Sequence, residues 1–374
     1  MKRLVLLGGG HAHVQVMRAF GREPPPDCEV VLVNRSRLTP YSGMVPGLVA
    51  GHYTHAECHI DLAHLSAYAR IRLIEQEVVT LDPAARGITC RDGTRLEYDL
   101  LAIDSGSTPP LDTVRGAREH ATPIKPLETF LAALPAIATP KTSGQPRRIV
   151  VVGAGAAGVE IVLALHWRLG KAAPGVPAPE LHLIAGSPTA LPAFPAGVQR
   201  RAGRLLDRAG IHVHRGARVA QVGADALTLA DGRTLAVDHT VWITGAAAAP
   251  MIAASGLATD ERGFIAVDAC LRSISHANVY ASGDVATVAE HPRPKAGVFA
   301  VRQGPPLTRN LRLALAGRPV LPFVPQRKFL VILGTGAPYA IATRGSWSVE
   351  GAWVWRWKDS IDRRFMRGFS DLGH

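Results

Sequence analysis

The chain has 374 residues, of which 47% are hydrophobic and 19% charged. That length supports two or three domains with real cores, and the composition excludes an intrinsically disordered chain. Lys and Arg outnumber Asp and Glu by 42 to 30, giving a formal net charge of +12, which suits an anionic partner: nucleic acid, acidic lipid or a phosphorylated cofactor.

Patterning narrows this further. Basic residues are dispersed except near "RRAGRLLDR" and "WRWKDSIDRRFMR", so no nucleic-acid arm is present and no nucleic-acid partner is expected. No apolar run reaches the roughly 18 residues needed to span a bilayer. The N-terminus enters a strand directly, without a signal-peptide pattern, and a cytoplasmic location is expected. Cys28, Cys58, Cys90 and Cys270 are far apart. Without a C-x-x-C there is no local redox disulfide and no zinc knuckle.

"RLVLLGGGHAHVQVMRAF" reads as an apolar strand, a glycine turn and a helix. Gly8 and Gly10 fill the first two positions of G-x-G-x-x-G, where the turn is tight and the backbone approaches a pyrophosphate at a helix N-terminus. His13 stands at the third, so the helix must tilt or the side chain must point past its edge. A metal pair of His11 and His13 is the weaker reading, because residues i and i+2 of a helix face about 200° apart. The alternative is that one contacts phosphate or a neighbouring loop. The next strand, "CEVVLVNRS", ends in Asn34 where an acid would hold a ribose; an amide still bonds a hydroxyl.

"GHYTHAECHIDLAHL" brings His52, His55, Cys58, His59 and His64 close in sequence. Their spacing fits no short zinc motif, "HIDLAHL" reads as an aspartate-led helix start, and no metal is assigned. "LPAIATPKTSGQPRR" reads as linker. After it, "RRIVVVGAGAAGVEIVLAL" repeats the phosphate-loop pattern with Gly153, Gly155 and Gly158. Two such loops, each after an apolar strand, imply two dinucleotide sites or one and a relic. "GKAAPGVPAPE" is a second loop, and the following strand, "ELHLIAGS", ends in Ala185-Gly186. It offers neither the acid that favours NAD nor an obvious arginine for NADP, which leaves the nicotinamide preference open. "RKFLVILGTGAPYAIATRG" reads as a hairpin. "WVWRWKDSIDRRFMRGFSDL" reads as an amphipathic helix with Trp357, Ile361, Phe365, Phe369 and Leu372 on one side and Arg363, Arg364 and Arg367 on the other. It either docks on the protein, the favoured reading, or lies peripherally on the inner membrane face. Trp353 and Trp355 alternate as in a strand.

At this point the sequence resembles a family. "YDLLAIDSGSTP" and "VDHTVWITGAAAAP" are similar to the two domain crossings, and "SISHANVYASGDVA" to the second FAD fingerprint, of the pyridine nucleotide-disulfide oxidoreductase superfamily. Within it the chain resembles type II NADH dehydrogenase-like proteins. "GGGHAHVQV", "TPYSGMVPGLVAGHY", "HIDL" and "WVWRWKDSIDRRFM" resemble the branch fused to, or associated with, selenophosphate synthetase. The resemblance implies an α/β fold with two Rossmann-like dinucleotide-binding domains and a small C-terminal α+β section. It places an FAD domain at 1–115 and 252–325, an NAD(P)-binding-like domain at 116–251, and the hairpin and helix at 326–374.

It also implies the site. FAD would be held by Gly8, Gly10, His11, Ala12, Asn34, Arg35, Pro40, Tyr41, Ser42, Val78, Ser105, Gly106, Gly283, Asp284, Lys295, Ala296 and Gly297, with Asp284 on the ribityl chain. Gly153, Gly155, Gly158, Glu160 and Gly245 would face NAD(P)H. Glu160, Lys295, Gln303 and Tyr41 are the catalytic candidates, with Lys295 at the flavin N1–C2=O edge and Arg302 and Gln303 toward the acceptor. Residues 40–47 contain no cysteine and none lies between Cys90 and Cys270, which disfavours disulfide, peroxide and sulfide chemistry. The expected activity passes electrons from a nicotinamide through FAD to a quinone or another small acceptor. A selenium-linked acceptor is the second reading, and a poorly turning-over flavin-binding partner protein the third.

Overall fold

The computed structural model describes residues 1–139, 141, 144–170 and 177–372. In chain order, the strands that build the frame are β1 (Lys2–Leu7), β2 (Cys28–Asn34), β3 (Arg72–Glu75), β4 (Leu100–Ile103), β5 (Ala121–Pro123), β6 (Arg148–Val152), β7 (Glu180–Ala185), β8 (His212–Arg215), β9 (His239–Trp242), β10 (Val279–Ala281), β11 (Val331–Thr335), β12 (Ala337–Arg344) and β13 (Trp347–Gly351). The helices that shape the site are α1 (His11–Arg22), α2 (Val45–Ala50), α3 (Leu127–Ala138), α4 (Ala156–Leu169), α5 (Gly297–Leu315) and α6 (Ala352–Ser370).

Two parallel sheets form the frame, in the orders β10-β4-β1-β2-β3 and β5-β9-β6-β7-β8. β1 and β6 are central, and Leu4–Leu7 and Ile149–Val152 are buried without alternation, as expected of strands covered on both faces. Each central strand runs through a glycine turn into a helix, α1 or α4, before its parallel neighbour. This is the α/β, Rossmann-like architecture that the two loops imply. The segments crossing between the sheets are tied by reciprocal bonds between Thr108 and Ala247, at 3.0 and 2.8 Å. Leu134–Ala138, read as linker, instead complete α3 and bury Leu134 and Ile137. Residues 140, 142 and 143 of that stretch, and 171–176 of the second loop, lie outside the described residues.

The expected hairpin is β11 and β12, to which β13 adds a third antiparallel strand. Its turn needs glycine: Gly336 has φ +79°, and a Cβ there would lie 2.1 Å from the Leu163 carbonyl oxygen of α4.

α6 corrects the expected helical wheel. Trp353 and Trp355 belong to the helix, not to a strand. The apolar residues split between two faces. Val354 and Phe369 are buried, with Phe365 packed against the core around the β1 sheet. Trp353, Trp357 and Ile361 are exposed. The docked face is partly polar, since Asp362 is buried on it and takes a 2.6 Å ion pair from Lys358.

Candidate active site

The C-terminal ends of both parallel sheets open onto one cavity of about 1050 Å³. Both glycine loops line it, Gly8–His11 from one side and Gly153–Gly158 from the other. α1 and α4 begin at Gly10 and Gly155, neither of which supplies a side-chain cap. The first N–H groups of α4 and the positive dipole ends of both helices therefore favour anionic groups at this wall.

The first loop answers the question of the two histidines. His13 is fully buried, with Nδ1 2.6 Å from the Gly8 carbonyl oxygen, so it does not point past the helix edge. Burial holds its pKa down at about 4, and the neutral ring donates from Nδ1. In the second loop the same position is Gly158, where a Cβ would lie 1.7 Å from the Gly153 oxygen. Only the first helix leaves room for a side chain. His11 meets a neighbouring loop, its Nε2 accepting the Ser42 N–H at 3.3 Å. The Cys58 region is likewise structural. His52 bonds the Gly336 carbonyl, the His55 and His59 rings stack at 3.7 Å, and Asp61 caps the helix Leu62–Ala69. Among the described residues no cluster of three or more His, Cys, Asp or Glu could hold a metal.

Most of the expected site residues meet at the cavity. Gly8, Gly10, His11, Asn34, Arg35, Pro40, Ser42, Val78, Ser105, Gly106 and Asp284 line its first side, with Lys295, Ala296 and Gly297 at the start of α5. Gly153, Gly155, Gly158, Glu160 and Gly245 line the second. The structure places four others away from the wall. Ala12 is fully buried and its N–H donates to Asp104 Oδ2 at 2.8 Å. Gly283 sits behind the wall, its N–H donated at 2.6 Å to Oε1 of the buried Gln303. Gln303 thus fixes the Gly283–Asp284 turn and does not reach an acceptor. Tyr41 stacks on Phe365 at 4.5 Å, and its hydroxyl bonds Asp362.

Two further roles change. The Lys295 ammonium turns to the Ala286 carbonyl and, at 2.8 Å, to Thr287 Oγ1, lying 4.0 Å from the centre of the Phe264 ring. Burial lowers it to about 8, and with its ammonium held by these partners the α5 N-terminus supplies positive potential at the edge beside Gly297. Asn34 accepts the Gly9 N–H at 2.9 Å and donates to the Ser36 carbonyl at 2.6 Å, bracing the loop it was expected to serve.

Glu160 is a titratable group of the second side. Oε1 accepts the Gly334 N–H at 2.8 Å, and burial raises its pKa to about 7 against the opposing charge of Lys358. Sequence reasoning missed Asp104 and Lys125. Asp104 is buried, raised to about 7 by burial, and bonds two N–H groups of α1. Lys125 lines the cavity and pairs with Asp284 at 2.9 Å. The signal for Asp104 was its place beside Ser105-Gly106 at the end of a buried strand; Lys125 had only "PIKP".

The pyridine nucleotide-disulphide oxidoreductase description matches residues 2–304. The chain belongs to this family. An NADH dehydrogenase-like protein of Mycobacterium tuberculosis is 28% identical, covering 82% of this chain and 79% of that one. A demethylphylloquinone reductase of Synechocystis is 24% identical over 86% and 81%. The sulfide:quinone oxidoreductase structure from Aquifex aeolicus superposes with a TM-score of 0.82 at 18% identity, covering 99% of this chain and 92% of that one. Members of the pyridine nucleotide-disulphide oxidoreductase family bind FAD and use NAD(P)H, and the residues here suit both. Two helix N-termini face one cavity, each behind a glycine loop, and an aspartate at the end of β10 faces the first.

Proposed function

We propose that this chain is an FAD-dependent NAD(P)H oxidoreductase that passes electrons to a quinone without a redox-active disulfide. The observation that carries this reading is the single cavity joining both glycine loops. A nicotinamide seated on the second loop would face a flavin seated on the first. Bound flavin would supply the two-electron chemistry, accepting hydride from the donor and reducing the acceptor. The chain's own residues bind, orient and manage protons. The α1 N-terminus behind Gly8 and Gly10 suits the FAD pyrophosphate, and Asp284, now paired with Lys125, suits the ribityl hydroxyls. Glu160 suits the holding of a proton at its free Oε2 near neutral pH, which the reduction of a quinone to a quinol consumes. None of the four cysteines lines the cavity. The names of the NADH dehydrogenase-like and demethylphylloquinone reductase relatives agree with this donor and acceptor.

A peripheral contact with the inner membrane face belongs to the same reading. No helix of the described residues is long and apolar enough to cross a membrane. The outer face of α6 nevertheless exposes Trp353, Trp357 and Ile361 beside exposed Arg356, Arg364 and Arg367. Tryptophan among arginines suits the boundary of an anionic bilayer, where quinone resides. The selenophosphate synthetase link has its support in the four quoted stretches alone, and a selenium-linked acceptor would use the same cavity.

Anaerobic mixing with NADH and with NADPH, followed by a quinone panel, tests the proposal. Bleaching of the flavin by one dinucleotide and reoxidation by quinone is expected. A flavin that stays oxidised with both would favour a flavin-binding partner protein instead.

A further inference from the structure

The end of β7 gave no sign of nicotinamide preference in the sequence, but the fold brings in residues from elsewhere. β7 stands next to the central strand β6, so its C-terminal end faces the adenosine ribose of a dinucleotide on the second loop. Ala185 ends the strand, and Gly186 and Ser187 form the cavity wall beyond it. Among the described residues that end this strand and form the wall beyond it, Ala185, Gly186 and Ser187, there is no carboxylate to accept a ribose 2′-hydroxyl or repel a phosphate.

The loop after β8 is tied to this end. Arg215 is in register with Ala185, the Gly216 N–H donates to the Ser187 carbonyl at 3.0 Å, and the Ala217 N–H donates to the Ala185 carbonyl at 2.9 Å. The Arg218 stem lies over Gly186, its Cγ 3.9 Å from where a Cβ would stand. Glycine at 186 therefore leaves the space beside this side chain open. Arg215 and Arg218 are exposed, and among the described residues neither guanidinium has an ion-pair or hydrogen-bond partner. The turn at Ala230, whose N–H donates to the Arg218 carbonyl at 2.8 Å, is followed by an acid, Asp231, but Arg233 holds it at 2.7 Å.

We propose that Arg218, assisted by Arg215, recognises the 2′-phosphate of NADPH, making the phosphorylated dinucleotide this chain's preferred donor. The inference rests on the nicotinamide-driven reading above. A planar guanidinium binds phosphate with two parallel N–H bonds, which a 2′-hydroxyl cannot match. Aspartate at Gly186 would reverse the preference by accepting the hydroxyl and repelling the phosphate.

The test uses the FAD-loaded protein and begins with binding. Calorimetric titration with adenosine 2′,5′-bisphosphate should show roughly tenfold or greater affinity over adenosine 5′-monophosphate at low salt. Arg218→Ala should erase that difference, and Arg218→Lys should keep part of it. In stopped-flow reduction, Arg218→Ala should raise the half-saturating NADPH concentration while leaving the limiting rate and the NADH response unchanged. Gly186→Asp should favour NADH. Equal affinity for the two adenosine phosphates, or a preference for NADH in wild type, would overturn the assignment. Bisphosphate binding that depends on Arg218, with a flavin that neither dinucleotide reduces, would uphold the phosphate site and sink the redox reading alone.

Discussion

The carboxylate of Asp104 lies directly beneath Gly10. A Cβ on Gly10 would sit 2.3 Å from its Cγ, and one on Gly283 would sit 2.4 Å from its Oδ1. The same carboxylate accepts the N–H groups of Ala12 and His13 at 2.8 and 3.1 Å, closing the first turn of α1 from below. Both glycines are thus required by a protein side chain, whatever the loop binds. Asp104→Ala should orphan two buried N–H groups, at about 1–3 kcal/mol each, and Asp104→Asn should lose less because its amide oxygen still accepts. Gly283→Ala should be costly in wild type. In the Asp104→Ala background it should cost little beyond its φ of +67°. Denaturant unfolding of the four variants measures the coupling, and additive costs would refute this account.

Asp284 faces the cavity and pairs with Lys125 at 2.9 Å. Asp284→Ala should weaken FAD retention by about 1.5–3 kcal/mol, the usual worth of a hydrogen bond to a charged group. Flavin released on dialysis, followed by absorbance, measures it. Retention equal to wild type would show that the ribityl chain lies elsewhere.

Glu160 has a folded pKa of about 7 against an ordinary 4.5, raised chiefly by burial. Its folded value lies above the unfolded one. The stability it contributes is therefore present in full below about pH 4.5 and lost as pH rises through about 7. Glu160→Gln should gain on wild type across that window. His11 and His13, held near 4, act with the opposite sign but are common to both proteins and cancel in the difference. Urea unfolding at successive pH values reads the gap, and a gap independent of pH would contradict the assignment.

All four thiols are disfavoured as nucleophiles. Burial pushes Cys58 to about 12 and raises Cys28, Cys90 and Cys270. With alanine at the buried Cys58 and Cys90 and serine at Cys28 and Cys270, flavin reduction by the preferred donor should keep its limiting rate. A large loss in a variant that still retains FAD would establish thiol chemistry.

What the sequence made legible was local. Each glycine loop is a strand, turn and helix written in consecutive residues, so Gly8, Gly10, Gly153, Gly155 and Gly158 could be placed without knowing the fold. The partners of these loops were not legible, because β10 and β4 join β1 only in the sheet. Nothing near residue 104 announces that it will lie under Gly10 and beside Gly283. The same holds for Arg218, carried to the end of β7 by a strand pairing, and for Gln303 and Lys295, whose polar ends turn toward neighbouring backbone. A helical wheel orders residues by angle alone. It could not show that Lys358 and Asp362, a charged pair, would share the docked face of α6 and leave two tryptophans outside.

Those tryptophans give the last prediction. Trp353 and Trp357 stack at 6.4 Å on the outer face of α6, one turn apart, and Ile361 continues the stripe. Val354 and Phe369 hold the opposite face to the protein, and the side-chain stack of Phe365 on Tyr41 fixes its middle. The two faces can therefore be separated by mutation. The chain should co-sediment with anionic vesicles at low salt and be released as salt rises, because Arg356, Arg364 and Arg367 flank the stripe and are screened. Trp353→Ala, Trp357→Ala and Ile361→Ala combined should abolish binding while FAD is retained. Phe369→Ala should instead lower stability, typically by about 3–5 kcal/mol for a buried phenylalanine, and leave the outer stripe intact. Absence of wild-type binding to anionic vesicles in low salt would remove the membrane role and leave α6 as a purely intramolecular cover.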